Sequence, residues 1–336
     1  MGWAGLGKMS DDSVILIPFE DRSAWERAAA DALPTQSWGH AAGLAADGMT
    51  PELAVVTAQG AQMVLPFFQR RYESAAGAAI DIATLPGLSG ALVQPSSAAP
   101  LALWSRFAAA QGWVSGYIQL SPLNDTLVPP VPDQIRRTNA LFVFDVQAWD
   151  IETAVRHHMR RNLKLGARLG ATLLVDPSAM AAEFAALKAE HLALSGGSPP
   201  FSPKALDRWF AEPGIIAFGA ELDGQIVNIQ MGRRHGEWAD LHLARATSEG
   251  RDLQAWLIWQ ALGVLRVQGV RFINIGGYGV EGDGLHWMKS RFGAQEHPLR
   301  AVLQIYDQAR YDHLCAQSGA DPQATFFPQY RAPKAG

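Results

Sequence analysis

Apolar and polar positions along the chain fall into short alternating or continuous apolar runs, separated by glycine, proline and polar clusters. The first 147 residues predict a strand over 14–19 and a helix over 23–32 with Ser23 as its N-cap. Residues 36–43, carrying Trp38, continue as helix. Two strands, 53–57 and 62–68, read as a hairpin about a Gln59-Gly60 turn. Pro66 inside the second run places it at an edge, a bend or a bulge. The glycine-rich apolar stretch 80–93 reads as a loop packed on the core. A helix over 100–111 puts Trp104 and Phe107 on one face. Strands at 113–120 and 139–146 flank a Pro/Asn/Asp connector at 123–132.

A second pattern begins near Asp150, which reads as the cap of a helix over 151–168 that ends at Gly170. A strand at 171–175, a helix at 178–194, a loop at 195–203 and a helix at 204–210 follow. Three meandering strands come next, at 215–222, 225–233 after an Asp223-Gly224 turn, and 237–245. A long helix over 253–268 leads to a strand at 272–275, a glycine turn and a short amphipathic segment, 285–292, closed by Gly293 as C-cap. A last strand spans 300–306, and residues 308–336 read as a tail. The two halves share one order of elements without a visible sequence repeat. The expectation is an α/β (α+β) chain of two duplicated units, 1–147 and 148–307, each a mixed, mostly antiparallel sheet flanked by helices.

Composition narrows the class. Hydrophobic residues are 48% and charged residues 18% of the 336, which is the balance of a folded, core-rich chain. A net charge of -4 gives no global attraction to nucleic acid or acidic membranes. Cys315 is the single cysteine, so no internal disulfide forms and a reducing compartment is expected. No signal peptide or membrane-spanning run is evident, which makes a cytoplasmic protein the expectation.

The chemistry concentrates at 271–294, RFINIGGYGVEGDGLHWMKSRFGA. Five glycines in nine residues, Gly276, Gly277, Gly279, Gly282 and Gly284, follow the strand. They permit positive φ and close approach of backbone to another group. Lys289 and Arg291 on the next segment make this a place for an anionic or carbonyl-bearing ligand. Lys289 would neutralise a phosphate or polarise an acyl carbonyl as charge develops; the plainer reading is a surface lysine. Tyr278 would donate to a leaving group, or simply pack. Asp240 and His242 point the same way by the two-residue period. One of them would take the proton of an attacking amine, or the two form a hydrogen-bonded pair without chemistry. Substrate-assisted proton transfer stays open. Arg156, Arg160, Lys164 and Arg168 recur every four residues as one helix stripe, either solvated or bound to phosphate. Gly277, Gly279 and Gly282 also spell the GxGxxG of dinucleotide sites, which requires a full helix and further strands behind it. No metal-ligand cluster stands out beyond Glu281, Asp283 and His286, and no nucleophile-elbow motif occurs.

Four stretches together carry a resemblance: RRNLKLGARLGATLLV, FSPKALDRWF, AFGAELDGQIVNIQMGRRHGEWADLHLARAT and GVRFINIGGYGVEGDGLHWMKSRFGA, which ends in K-x-x-F-G at Lys289 to Gly293. In this order they resemble the FemAB-type peptidyltransferases and related acyltransferases built from two tandem GNAT-like (N-acetyltransferase) units. The resemblance covers 140–305, with the first half matching in layout. It implies transfer of an acyl or aminoacyl group to an amine such as an amino sugar, nucleotide sugar or peptide. The donor would be acyl-CoA, an acyl carrier protein or aminoacyl-tRNA. The stretch 178–210 is too short for the helical arm some FemAB proteins insert, which favours acyl-CoA. By the GNAT layout the donor pyrophosphate would lie at Ala246, Thr247, Ser248, Gly250, Arg251 and Leu253, at a helix N-terminus. Arg160, Lys164, Phe201 and Arg291 would bind substrate. A non-catalytic interaction module and a nicotinamide-dependent oxidoreductase are the competing classes.

Overall fold

A computed structural model describes residues 12–74, 77–124, 134–148, 155, 157–187, 201–278, 281–321, 323 and 325–332. In chain order they form β1 (Ser13–Pro18), α1 (Arg22–Ala28), α2 (Trp38–Ala46), β2 (Pro51–Ala58), β3 (Ala61–Tyr72), β4 (Ala79–Thr84), β5 (Leu92–Gln94), α3 (Ala99–Ala110) and β6 (Ser115–Gln119). There follow β7 (Gln134–Asp145), α4 (His157–Leu163), α5 (Leu165–Leu169), β8 (Thr172–Leu174), α6 (Pro177–Ala186), α7 (Pro203–Ala211), β9 (Ile215–Leu222), β10 (Gln225–His235) and β11 (Trp238–Ala246). The last elements are α8 (Gln254–Val267), β12 (Phe272–Asn274), α9 (Gly284–Ser290), β13 (Gln295–Ile305) and α10 (Gln308–Ser318). No helix among the described residues is long and apolar enough to cross a membrane.

The chain divides into two units, each discontinuous: 1–32, 49–138 and 298–336 form unit one, and 33–48 with 139–297 form unit two. The boundary differs from a cut at 147/148. The segment 33–48 packs with unit two because Trp209 of α7 sits against α2, its Nε1 donating to His40 O at 2.8 Å. The tail expected over 308–336 is structured where it is described, with α10 and residues 325–332 packed on unit one. Tyr311, Leu314 and Tyr330 are buried in unit one with Ala79 and Val114. Asp81, fully buried, accepts from Arg70 Nε at 2.5 Å, Arg331 Nε at 2.6 Å and Tyr330 OH at 3.1 Å.

In unit one the strands run β1-β2-β3-β4-β6-β13, with β5 pairing β3. In unit two they run β8-β9-β10-β11-β12-β7. Each order is antiparallel except for one parallel step, β4 to β6 and β11 to β12, each bridged by a helix, α3 or α8. A parallel neighbour needs such a crossover, so the long helix placed here follows from the sheet order. The expected duplication is thus present in the topology.

Several local expectations change. α1 starts one residue early, with the Asp21 carboxylate, not Ser23, accepting from Ala24 N. The stretch 80–93 is not all loop: its alternating Ile80 and Ile82 belong to β4, and Leu92 begins β5. Pro66 lies on an interior strand, since β3 pairs β2 from Ala61 to Phe68 on one side and β5 and β4 on the other. Its carbonyl faces Leu85 N, so its missing N–H falls between the β5 partners (Gln62 to Val64) and the β4 partners (Phe67 to Tyr72). The helix expected over 151–168 breaks at Lys164, where a Lys164 N to Arg161 O bond tightens the turn. A Cβ on Gly166 would overlap the Trp256 ring, so α5 approaches α8 more closely than a side chain allows. Arg291, not Gly293, caps α9. Asp150, Arg156, Gly279 and residues 188–200 lie outside the described residues.

Candidate active site in unit two

The core of unit two sets two faces on its sheet. Phe218 and Ala220 of β9, Ala239 and Leu241 of β11, and Val155, Met159 and Leu163 pack with α8 in one apolar cluster. Gly219, between Phe218 and Ala220, meets Met180 of α6 instead. Strand alternation therefore puts α4, α5 and α8 on one face and α2, α6 and α7 on the other.

Between these faces the parallel pair opens. β11 and β12 are in register for three pairs only, Trp238 with Phe272, Ala239 with Ile273 and Asp240 with Asn274. Beyond Asp240, β10 is the only strand that pairs β11 among the described residues. The chain after β12 stays with β7 instead, through Ile275 N to Phe142 O at 2.9 Å and Phe142 N to Gly276 O at 3.2 Å. The divergence coincides with a bulge. Met231 pairs Leu243 and Gly232 pairs Leu241, which leaves His242 as the extra residue. A Cβ on Gly232 would overlap the Asp240 carbonyl oxygen, so glycine is required opposite the bulge. A wedge thus opens from Leu241 and Ile275 onward, with one backbone edge of β11 unmatched by a strand.

Lys289 stands at the mouth of this wedge. One turn of α9 after His286, it is buried and donates from Nζ to Ile275 O at 2.5 Å and Gly277 O at 2.7 Å. These bonds employ two of its three possible N–H positions and leave the third for another group. Burial pushes its pKa down to about 7, against the opposing pull of Asp283. The turn is held elsewhere too. Asn139 Nδ2 donates to Tyr278 O at 2.8 Å and its Oδ1 accepts from Tyr278 N at 3.3 Å, while Asn274 Oδ1 accepts from Gly276 N at 2.8 Å. His286 Nδ1 accepts from Gly282 N at 3.0 Å, and Asp283 caps α9 through His286 N at 2.7 Å. Glu281, Asp283 and His286 form no metal-binding group, and none is found among the described residues. The Tyr278 ring packs on His286 at 4.6 Å between centroids. Arg291 lies over Trp287, 4.5 Å from its ring centre.

The equivalent opening in unit one is filled by the chain itself. Past the β4/β6 pairs, Thr84 Oγ1 donates to Tyr117 O at 3.2 Å and accepts from Gln119 N at 2.9 Å. Ala91 N reaches Gln119 O at 2.7 Å, and Ser121 N reaches Ala91 O at 2.7 Å. Residues 84–91 therefore fill the opening beyond the β4/β6 pairs, along the continuation of β6.

The other predicted residues fall around the wedge on separate faces. Ala246, Thr247, Ser248, Gly250, Arg251 and Leu253 lie where β11 turns into α8, with α5 packed on the same turn and Lys164, its N-cap residue, exposed. Arg160, on α4, bonds Val155 O at 3.4 Å. Gly250 does not take positive φ; a Cβ there would overlap the Val227 carbonyl, so close packing explains it. Gly250 N donates to Thr247 Oγ1 and Arg251 N to Thr247 O, so these groups are engaged within the turn. On the opposite face lie buried Asp240 and half-buried His242, the latter beside α2 and α7. Phe201 meets Trp209 edge-on at 4.7 Å, and His40 stacks on Trp209 at 5.2 Å with His242 6.0 Å away. His242 Nδ1 lies 3.3 Å from Asp240 O, and burial pushes the imidazole down to about 4. Sequence reasoning missed Arg233, His40, Trp209 and Asn139, and weighed His286 only as a metal ligand. The one available signal was Gly39 and Gly43, four apart on α2, whose missing side chains admit Arg233 and Trp209.

No protein-family model matches the sequence, and no curated protein matches it. Solved structures do. FemX is similar over 90% of this chain and 99% of its own, with a TM-score of 0.65 at 11% identity. The C-terminal domain of a candidate lysylphosphatidylglycerol synthetase from Agrobacterium fabrum aligns over 89% and 95%, with a TM-score of 0.58 at 15% identity. L-PGS from Bacillus licheniformis aligns over 70% and 83%, at 0.50 and 13%. The chain has the tandem GNAT-like fold, the class expected from its sequence. Within that class its likeness is to FemX and to the synthetase domains, and identities of this size speak for the fold alone.

Proposed function

We propose that the protein is an N-acyltransferase, moving an acyl or aminoacyl group from an activated donor, acyl-CoA in the first instance, to an amine. The observation that carries this reading is the wedge between β11 and β12 with Lys289 fixed at its mouth. An extended donor arm bearing amide groups complements an unmatched strand edge as an added strand would. The donor phosphates then lie toward Ala246 to Leu253 and Arg251, and the reacting carbonyl lies near the point of divergence. As an ammonium, Lys289 offers its third N–H to the oxygen on which charge develops. Held by two backbone carbonyls, it needs little reorganisation to do so. Attack by the amine forms the C–N bond and breaks the C–S bond of a thioester donor, and the amine proton ends on the departing sulfur. With a pKa of about 4, His242 is a weak base at neutral pH and holds the amine better than it deprotonates it.

The cations Arg160, Lys164 and Arg168 near the start of α8 support aminoacyl-tRNA as the second donor reading. The test is mass-spectrometric detection of product from acetyl-CoA, longer acyl-CoAs, acyl carrier protein and aminoacyl-tRNA, each with a panel of amines. Lys289→Met should lower turnover by about 10²–10³-fold with unfolding behaviour that of a folded protein. Full turnover in that variant would remove Lys289 from the mechanism. Silence with every donor would leave the non-catalytic reading.

A further inference from the structure

The α2/α7 face of unit two buries two polar atoms without a hydrogen-bond partner. Arg233, on β10, is 3% exposed; its Nη1 donates to Pro213 O at 2.7 Å, while its buried Nη2 has no hydrogen-bond partner. Across the ladder stands Asp240, and the bulge sets His242 diagonally beyond it. His242 Nε2 is also buried without a partner. Because Nδ1 faces the Asp240 carbonyl, the neutral ring carries its proton on Nδ1 and presents a lone pair at Nε2. Burial lowers the pKa of Arg233 to about 10, so it remains charged at neutral pH. Glu212 is the acid nearest in effect, but its carboxylate pairs with Arg208 at 2.5 Å. Gly39 admits the guanidinium, since a Cβ there would lie 2.6 Å from Nη1. The stacked His40 and Trp209 rings and half-buried Phe201 wall the niche.

A cationic donor beside a neutral acceptor selects its ligand. Phosphate would satisfy Arg233 but set oxygen lone pairs against the imidazole lone pair. A carboxylate with an amine a few bonds away satisfies both and neutralises the buried charge. We propose that Arg233 and His242 form a subsite for an amine that carries its own carboxylate, the amino-acid class, with the carboxylate on Arg233 Nη2 and an amine N–H on His242 Nε2. As the acceptor site of the transferase it rests on the N-acyl-transfer reading. In that role a neutral amine donates one N–H to His242 and keeps its lone pair for attack.

Binding alone tests the subsite. Isothermal titration of the full chain, without donor, with glycine, L-alanine, L-lysine, acetate, ethylamine and inorganic phosphate should give binding of at least one amino acid. That affinity should exceed those of acetate and ethylamine by about tenfold or more. Arg233→Met should weaken it by at least about tenfold, and Arg233→Lys, which keeps the charge, should weaken it less. The ¹⁵N signal of His242 Nε2 should shift on binding. No binding by any amino acid overturns the proposal, as does equal affinity in a folded Arg233→Met variant. A ¹⁵N spectrum showing Nε2 already hydrogen-bonded to Arg233 overturns it too. Amino-acid binding with no acyl transfer from any donor would sink the transferase reading alone. Transfer to amines regardless of a carboxylate would sink the subsite alone.

Discussion

At the scale of single residues, the bulge is where backbone and chemistry meet. His242 exists as an extra residue only because Gly232 lets the Asp240 carbonyl come close, and its burial holds the ring neutral. The consequence for pH is signed. The folded pKa of about 4 lies below the ordinary histidine value of 6.5, so protonation favours the unfolded chain. Stability from this group is complete above 6.5 and is lost as pH falls toward 4. The loss should approach about 3 kcal/mol. Denaturant titrations at pH 7, 5.5 and 4 should show wild type losing stability relative to His242→Phe by that order. Parallel curves for the two proteins would mean that the ring is protonated or hydrated in the fold.

At the scale of elements, much was legible and the wedge was not. Two-residue alternation exposes β9, β10 and β11, and the Gln59-Gly60 and Asp223-Gly224 turns carry the positive φ their hairpins need. The K-x-x-F-G run places Lys289 on a helix after a glycine turn, as found. What alternation cannot reveal is register. That β11 and β12 share only three pairs depends on which carbonyl each amide meets, and no residue type encodes it. The C-terminal elements read as a tail from sequence because α10 and residues 326–332 bury few side chains each. Their hold is instead the polar clasp on Asp81. A chain ending after Gly319 leaves that fully buried carboxylate to Arg70 alone. It should lose about 3 kcal/mol, seen as a lowered thermal midpoint. An unchanged midpoint would mean that Arg70 suffices.

At the scale of the whole molecule, the two units reuse one strand order, but among the described residues only unit one fills its parallel opening with residues of its own loop. On the proposed function, that contrast favours unit two as the place of acyl transfer. Each unit borrows a distant piece of chain, and unit two borrows the segment 33–48. A fragment spanning 139–297 lacks α2, so Trp209 loses the helix against which Gly43 packs it. Such a fragment should aggregate or unfold, whereas co-expression with a peptide of 33–48 should recover soluble material; a stable lone fragment would show that α2 is dispensable. Unit one borrows from the other end. β6 meets its antiparallel neighbour only at Ala301 to Ile305. During synthesis, that strand leaves the ribosome after every other strand of unit one. Until then β6 waits with an unpaired edge, so unit one, begun first, is finished last, and a nascent chain stalled before Pro298 should remain a client for chaperones that bind exposed strands.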